Sequence, residues 1–311
     1  MPNWKEVLEE IQSEQTKGIS NPLDVVRRKY LANIQKKTGR NVIAYYSGWL
    51  QKPQSPDTIV NDKDKNALMV NIHKLDRKKG LDLILHTPGG DLAATESIVD
   101  YLFSMFGSNV RAIIPQISMS AGTMIALSCK EIMMGKQSNL GPIDPQIGGV
   151  ACQAVLDEFE QAKKDLRINS GSAALWQVII SKYHPTFLGM CRNAIDWSEK
   201  LAQEWLNRNM SNGNSSKAKK ILKEFGDHKM NKSHARHISK DKCKEIGLKI
   251  VDMESDNDLQ DLILTVHHAF MHTFSSSLSV KIVENHLGVA YIETIPMQMN
   301  QPFFQMTAPA Q

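Results

Sequence analysis

Between Leu81 and Met134, short apolar runs alternate with helical patterns, and this alternation constrains the fold more than any other feature of the chain. Leu81–His86, Val110–Ile117 and Glu131–Met134 are apolar runs of strand length. Between them, Ile98, Leu102 and Met105 join Val99, Phe103 and Phe106 on one apolar helix face, and Ala121–Cys129 is a small-residue helix. Strand–helix–strand–helix–strand predicts an α/β fold with parallel strands and right-handed crossovers. A further strand is expected at Val42–Tyr46 and a helix at Asn66–Lys78, stopped by Gly80. Gln51–Asp64, with Pro53 and Pro56, is expected to be a loop.

Asn21-Pro22 starts a helix over Leu23–Lys36. Beyond residue 150 the patterns are mainly helical: Val150–Leu166, Ala173–Ser181, Phe187–Met210 and Leu259–Ser275. Val280–Ile295 includes a late strand, and Pro296–Gln311 is expected to fray. The chain divides into an N-terminal helical extension (1–40), a central domain (41–255) and a C-terminal helix, strand and tail (256–311).

With 311 residues, 41% hydrophobic and 23% charged, composition excludes wholesale disorder and a collagen-like chain. A net charge of +4 is too small to imply nucleic-acid binding. Lys217–Lys249 holds 11 Lys/Arg against 4 Asp/Glu but lacks interleaved aromatics, so a solvated face or mobile loop is expected. Ser211–Ser216 has the composition of a flexible lid or insertion. No apolar run reaches the ~18 residues of a membrane span, and Met1–Gln15 is polar, so a cytoplasmic protein is expected. Cys129, Cys152, Cys191 and Cys243 form no CxxC pair and fit free thiols in a reducing compartment. His267, His268 and His272 lack an HExxH pattern and are expected as polar positions on a helix, so neither metal nor cofactor is expected.

Two strand-to-helix turns carry chemistry. His86-Thr87-Pro88-Gly89-Gly90-Asp91 pairs two glycines, which let backbone N–H groups approach a ligand. It fits an oxyanion hole or an ordinary turn, with Asp91 as a helix cap. Ser118-Met119-Ser120-Ala121-Gly122-Thr123 fits a serine at a helix start with the Ala121 N–H joining the hole; it also fits a plain serine N-cap.

The ordered set Leu83–Gly90, Pro115–Thr123, Met134-Gly135 and Leu140–Gln146 resembles the serine dehydrogenase proteinase (SDH) family of Clp-fold serine peptidases. Its relatives include the Clp protease proteolytic subunit, signal peptide peptidase A and the crotonase superfamily. The resemblance covers about residues 38–252, and Glu245–Ile250 is similar to a segment shared by Clp and crotonase members. It implies a Clp/crotonase-type spiral of β-β-α units with added N- and C-terminal helices. It implies that Ser120 is the nucleophile, with Ser118 second, and that Gly89, Gly90 and Ala121 form the oxyanion hole.

The base departs from the family pattern. Where the Clp subunit has its catalytic His, this chain has Asp144; the Clp Asp falls beside His234. The resemblance implies a Ser120–His234–Asp144 set in which His and Asp have exchanged places. Signal peptide peptidases use a lysine instead, and Lys182 is its counterpart here, with Lys163 and Lys164 weaker. The implied function is an ATP-independent serine endopeptidase acting on peptide or protein substrates, membrane-derived peptides included. A homo-oligomer is implied as well, with Phe187–Leu206 and Leu259–Phe274 as interface faces. A crotonase-like acyl-thioester enzyme and a catalytically silent scaffold remain the alternatives.

Overall fold

The computed structural model describes residues 4–211, 213–226 and 233–295. Five parallel strands lie in the order β10 (Ile250–Asp252), β5 (Glu131–Met134), β3 (Val110–Ile114), β2 (Leu81–His86) and β1 (Asn41–Ser47). An antiparallel hairpin, β11 (Ser279–Asn285) and β12 (Ala290–Thr294), extends the sheet beyond β1. The single late strand expected over Val280–Ile295 is therefore two, reversed at Gly288, whose φ of +82° suits glycine.

Three two-residue strands, β4 (Ile117–Ser118), β6 (Asn139–Leu140) and β9 (Ile238–Ser239), form a second small sheet. The run expected as one strand over Val110–Ile117 is split between the two sheets. Pro115 has no N–H for a ladder, so β3 ends at Ile114 and the chain resumes as β4. This repeated hand-over from a long strand to a short one and then a helix is the β-β-α spiral.

Both faces of β1 and β2 are covered, so both are buried throughout. Ile43, Tyr45, Leu83 and Leu85 point into one apolar cluster, while Val42, Ala44, Tyr46 and Ile84 point into the other. The first face carries α3 (Lys63–Ile72), α4 (Leu92–Phe106) and α5 (Ala121–Leu127). Helix α3 is shorter than the expected Asn66–Lys78: it ends at Ile72, before Lys74 turns left-handed at φ +67°. The other face carries α2 (Pro22–Thr38) and α11 (Asn257–Ser276), with α1 (Trp4–Thr16) against both.

Helix α11 corrects one expectation. Leu259, Ile263, Val266, Phe270 and Phe274 are buried against the sheet, so this face is not free to join subunits. His267 and His272, polar positions on this helix, are buried.

Between β6 and β9 the chain makes a long excursion. It begins with the hairpin β7 (Gln146–Ile147) and β8 (Val150–Ala151), then runs through α6 (Cys152–Ile168), α7 (Ala173–Ile180) and α8 (Phe187–Trp205). Cys152, Val155 and Cys191 form its small core, while Leu201, Ala202 and Trp205 of α8 return to the main one. Ser215, expected in a loop, opens α9 (Ser215–Gly226), which buries Ala218, Ile221, Leu222 and Phe225 and leaves Lys219, Lys220 and Lys223 in solvent. Helix α10 (Lys240–Ile246) then leads into β10. All four cysteines are free and buried. The tail expected at Pro296–Gln311 lies outside the described residues.

Candidate active site

The glycine turn follows β2 and the serine turn follows β4, and the two are stitched together. Thr87 and Ser118 form a parallel bridge, with the Met119 N–H on the Thr87 carbonyl at 3.0 Å. Gly89 has φ +95°, and a Cβ there would lie 2.6 Å from the Ser120 Cβ and 2.8 Å from the Ala121 nitrogen. Glycine is thus required twice over, by its backbone and by contact with the serine. Gly90 is pressed against Val60, where a Cβ would meet backbone at 2.3 Å. Val60 bonds both ways, its N–H to the Gly89 carbonyl at 2.8 Å and its carbonyl to the Asp91 N–H at 2.9 Å. Sequence reasoning missed Val60, because it sits in a Pro/Asn/Asp-rich loop; the β-branched Ile59-Val60 pair was the available signal. Asp91 caps α4, accepting the Ala94 N–H at 2.7 Å.

Ser120 occupies the N-cap position of α5 without capping it. An N-cap residue is normally extended and its oxygen accepts a helix N–H. Here φ is +49° and ψ −117°, a strained conformation for a residue with a Cβ. The side chain is half-buried and its hydroxyl makes no hydrogen bond among the described residues. The strained backbone at this strand-to-helix junction leaves the oxygen without a cap hydrogen bond. Ala121 begins the helix, so its N–H has no intrahelical acceptor. Ser118, by contrast, is fully buried, and Gly122 packs over it with room for no Cβ: one would stand 2.4 Å from its Oγ.

Asp144 and His234, separated by 90 residues, meet at 2.8 Å through Oδ1 and Nδ1. In the tautomer whose Nδ1–H donates to the carboxylate, Nε2 is the ring nitrogen that the bond leaves free to accept. Asp144 is 2% exposed and the His234 side chain 24%: the carboxylate is sealed in and the imidazole is reachable. His234 lines a cleft of about 530 Å³ with Trp49, Leu50, Pro88, Ile117 and Met119 along an apolar wall. Gln146, Ser233 and His237 add polar groups to it. Pro88 and Met119 are the chain neighbours of Gly89 and Ser120, so the histidine and the serine turn share this cleft. Lys182 stands elsewhere, exposed on the turn after α7.

Behind the glycine turn, His86 is enclosed by Trp49 at 4.3 Å, His267 at 5.1 Å and Tyr46 at 5.4 Å between ring centroids. Burial holds His86 well below the usual histidine range and brings His267 down to about 3, so both are neutral. Burial also pushes the Cys129 and Cys243 thiols up to about 12, which leaves them unreactive. Among the described residues, no group of three or more His, Cys, Asp or Glu side chains is arranged to hold a metal ion. No helix there is long and apolar enough to cross a membrane.

Two proteins of Methanocaldococcus jannaschii are similar in sequence, both described as uncharacterized. MJ0137 is 35% identical over 103 residues, 33% of this chain and 36% of that protein. MJ1495 is 30% identical over 188 residues, 60% of this chain and 58% of that protein. The chain thus spans less than two thirds of the length of these curated relatives. Among solved structures, the 1510-N membrane-bound stomatin-specific protease, a point mutant, aligns over 66% of this chain and 79% of its own, at 17% identity and a TM-score of 0.39. The family profile of ClpP-like SDH-type serine proteinases matches residues 19–277, and the chain belongs to that family.

Proposed function

We propose that this chain hydrolyses peptide bonds with Ser120 as nucleophile, His234 as general base and Asp144 as the carboxylate that orients it. The observation that carries the assignment is the sealed Asp144 carboxylate holding His234 Nδ1 in the cleft beside the serine turn. Ser120 Oγ attacks the carbonyl carbon while His234 Nε2 takes its proton, and the same nitrogen then protonates the departing amine. Water, deprotonated in the same way, releases the acyl group. The Gly90 and Ala121 N–H groups receive the oxyanion. Gly89 has the other half of the work: its own N–H turns to Thr87 Oγ1 at 3.2 Å, and its missing side chain lets the serine approach.

The substrates we infer are peptides or protein segments that place an apolar side chain against Trp49, Leu50, Ile117 and Met119. Cleavage is internal and independent of ATP on this chain. We further propose that the protein self-associates through the α6–α7 excursion. Helix α7 buries none of its own residues, and Leu175 and Val178 are 63% and 61% exposed. Light scattering should show the assembly, and a Leu175→Lys/Val178→Lys variant should run at lower mass.

Labelling by a fluorophosphonate probe tests the chemistry. Wild type should label and Ser120→Ala should not, while His234→Ala should lose nearly all reactivity. An unlabelled, folded wild type in every assembly state would sink the peptidase reading in favour of a crotonase-like enzyme or a scaffold.

A further inference from the structure

The loop carrying Val60 is gripped from beneath by a fully buried ion pair. Lys281 of β11 and Asp64 of α3 are each 0% exposed, with Nζ and Oδ1 2.8 Å apart. Lys281 Nζ also donates to the Ile59 carbonyl at 2.8 Å. The second oxygen of Asp64 accepts the Asn61 N–H at 2.9 Å and the Tyr45 hydroxyl at 2.7 Å. The pair therefore holds the two peptide groups that flank Val60.

A trans peptide points its carbonyl and its N–H in opposite directions. With the Ile59 carbonyl turned to Lys281, the Val60 N–H points the other way, at the Gly89 carbonyl. With the Asn61 N–H turned to Asp64, the Val60 carbonyl points the other way, at the Asp91 N–H. One step on, the same rule applies again. The Gly89 carbonyl and the Asp91 N–H face Val60, so the Gly90 N–H faces away from it. The Thr87 hydroxyl, which accepts the Gly89 N–H and lies beside the Tyr45 oxygen, brings the network to the turn from its other side.

A buried ion pair gains little stability over an apolar pair of the same shape, because both ions are stripped of water. This one is spent on the backbone around a single residue. We propose that Lys281 and Asp64 are positioning residues for the oxyanion hole, setting the direction of the Gly90 N–H through the Val60 backbone; the inference rests on the reading of Ser120 and Gly90 given above.

The test is a Lys281→Met/Asp64→Asn double variant, which removes both charges together; Glu293, 3.9 Å from Lys281, keeps Lys63 at 3.7 Å. Its maximal rate of inactivation by fluorophosphonate–rhodamine should fall about 10- to 100-fold at unchanged probe affinity, the signature of a displaced transition-state donor. Hydrogen exchange at the Asp91 amide should accelerate in parallel. Arg27→Met/Glu284→Gln is the control. That pair is also fully buried, at 2.9 Å, but bonds Asp24, Arg28 and Thr273 rather than the loop. It should lose stability and keep its inactivation rate. If the first double variant does not fold, Tyr45→Phe removes the hydroxyl that donates to Asp64 and lies beside Thr87, and should slow inactivation about 3- to 10-fold. A folded Lys281/Asp64 or Tyr45 variant within twofold of wild type, or an equal loss in the control pair, overturns the proposal. Failure of wild type to label at Ser120 sinks the peptidase reading instead, and unchanged Asp91 exchange then overturns the positioning as well.

Discussion

Around Ser120 there is no space to spare: a Cβ on Gly89, Gly90 or Gly122 would stand 2.3–2.6 Å from a neighbouring atom. Across the cleft, His234 is held to Asp144 by a hydrogen bond of 2.8 Å that joins segments 90 residues apart. The serine side is made of turns fixed by two parallel strands and by Val60. The histidine side comes from the two ends of the excursion that leaves after β6 and returns at β9. The contrast teaches that the proposed site joins a tightly packed pair of turns to a histidine held by a long-range hydrogen bond. The two halves should fail differently.

The largest effect is expected on the histidine side. Asp144→Asn should cut the inactivation rate by roughly 10⁴-fold, because an amide can hold the imidazole in the wrong tautomer. The fold should survive, as judged by circular dichroism. A loss below tenfold would mean that another group orients the base, and the contrast would collapse.

Gly90→Ala should come next, at about 10²- to 10³-fold, comparable to deleting an oxyanion donor. Here the melting temperature should fall too, since the added methyl meets Val60 backbone rather than a flexible side chain. Activity and stability that move together would sharpen the comparison, and a melting temperature equal to wild type would break it.

A smaller effect separates two kinds of histidine. Burial depresses His86 and His267 from the usual value of 6.5, the latter to about 3. Below pH 6.5 the unfolded chain binds protons that the native chain refuses, so stability falls with pH. The loss is about 1.4 kcal/mol per pH unit per histidine, continuing for His267 down to about pH 3. Urea melts at pH 7, 6 and 5 should show this slope, and His267→Asn should flatten it.

The smallest expected effect is Lys182→Ala, which should leave the inactivation rate within twofold of wild type. Lys182 is exposed on the excursion and does not line the cleft. A large loss would transfer the role of base from His234 to lysine chemistry.

Much of the serine half was legible in the sequence. β2 and β5 fall where their apolar runs do, and both turns are contiguous motifs whose residues act on their immediate neighbours. The elbow at Ser120 was ambiguous because a serine before a helix also suits a cap; only the backbone conformation and the idle hydroxyl distinguish the two. The pairing of Asp144 with His234 was reachable through resemblance rather than through any local pattern. The burial of His267 was not legible, because the outward face of a C-terminal helix and one packed on a sheet look alike when polar residues interrupt both.

By itself the sequence determined what depends on neighbours in the chain: the apolar periodicity of the central strands and helices, the glycines that release the backbone at 89 and 90, the serine at the head of a helix, and thiols without partners in spacing. The tertiary structure decided what depends on register: that Val60 completes the ladder beside Gly90, that Lys281 and Asp64 meet beneath it, that His234 rather than Lys182 enters the cleft, and that the face of α11 is spent inside the molecule. Periodicity and turn chemistry act over a few residues, whereas a carboxylate finds its imidazole only once the sheet has fixed where both ends of a long excursion stand.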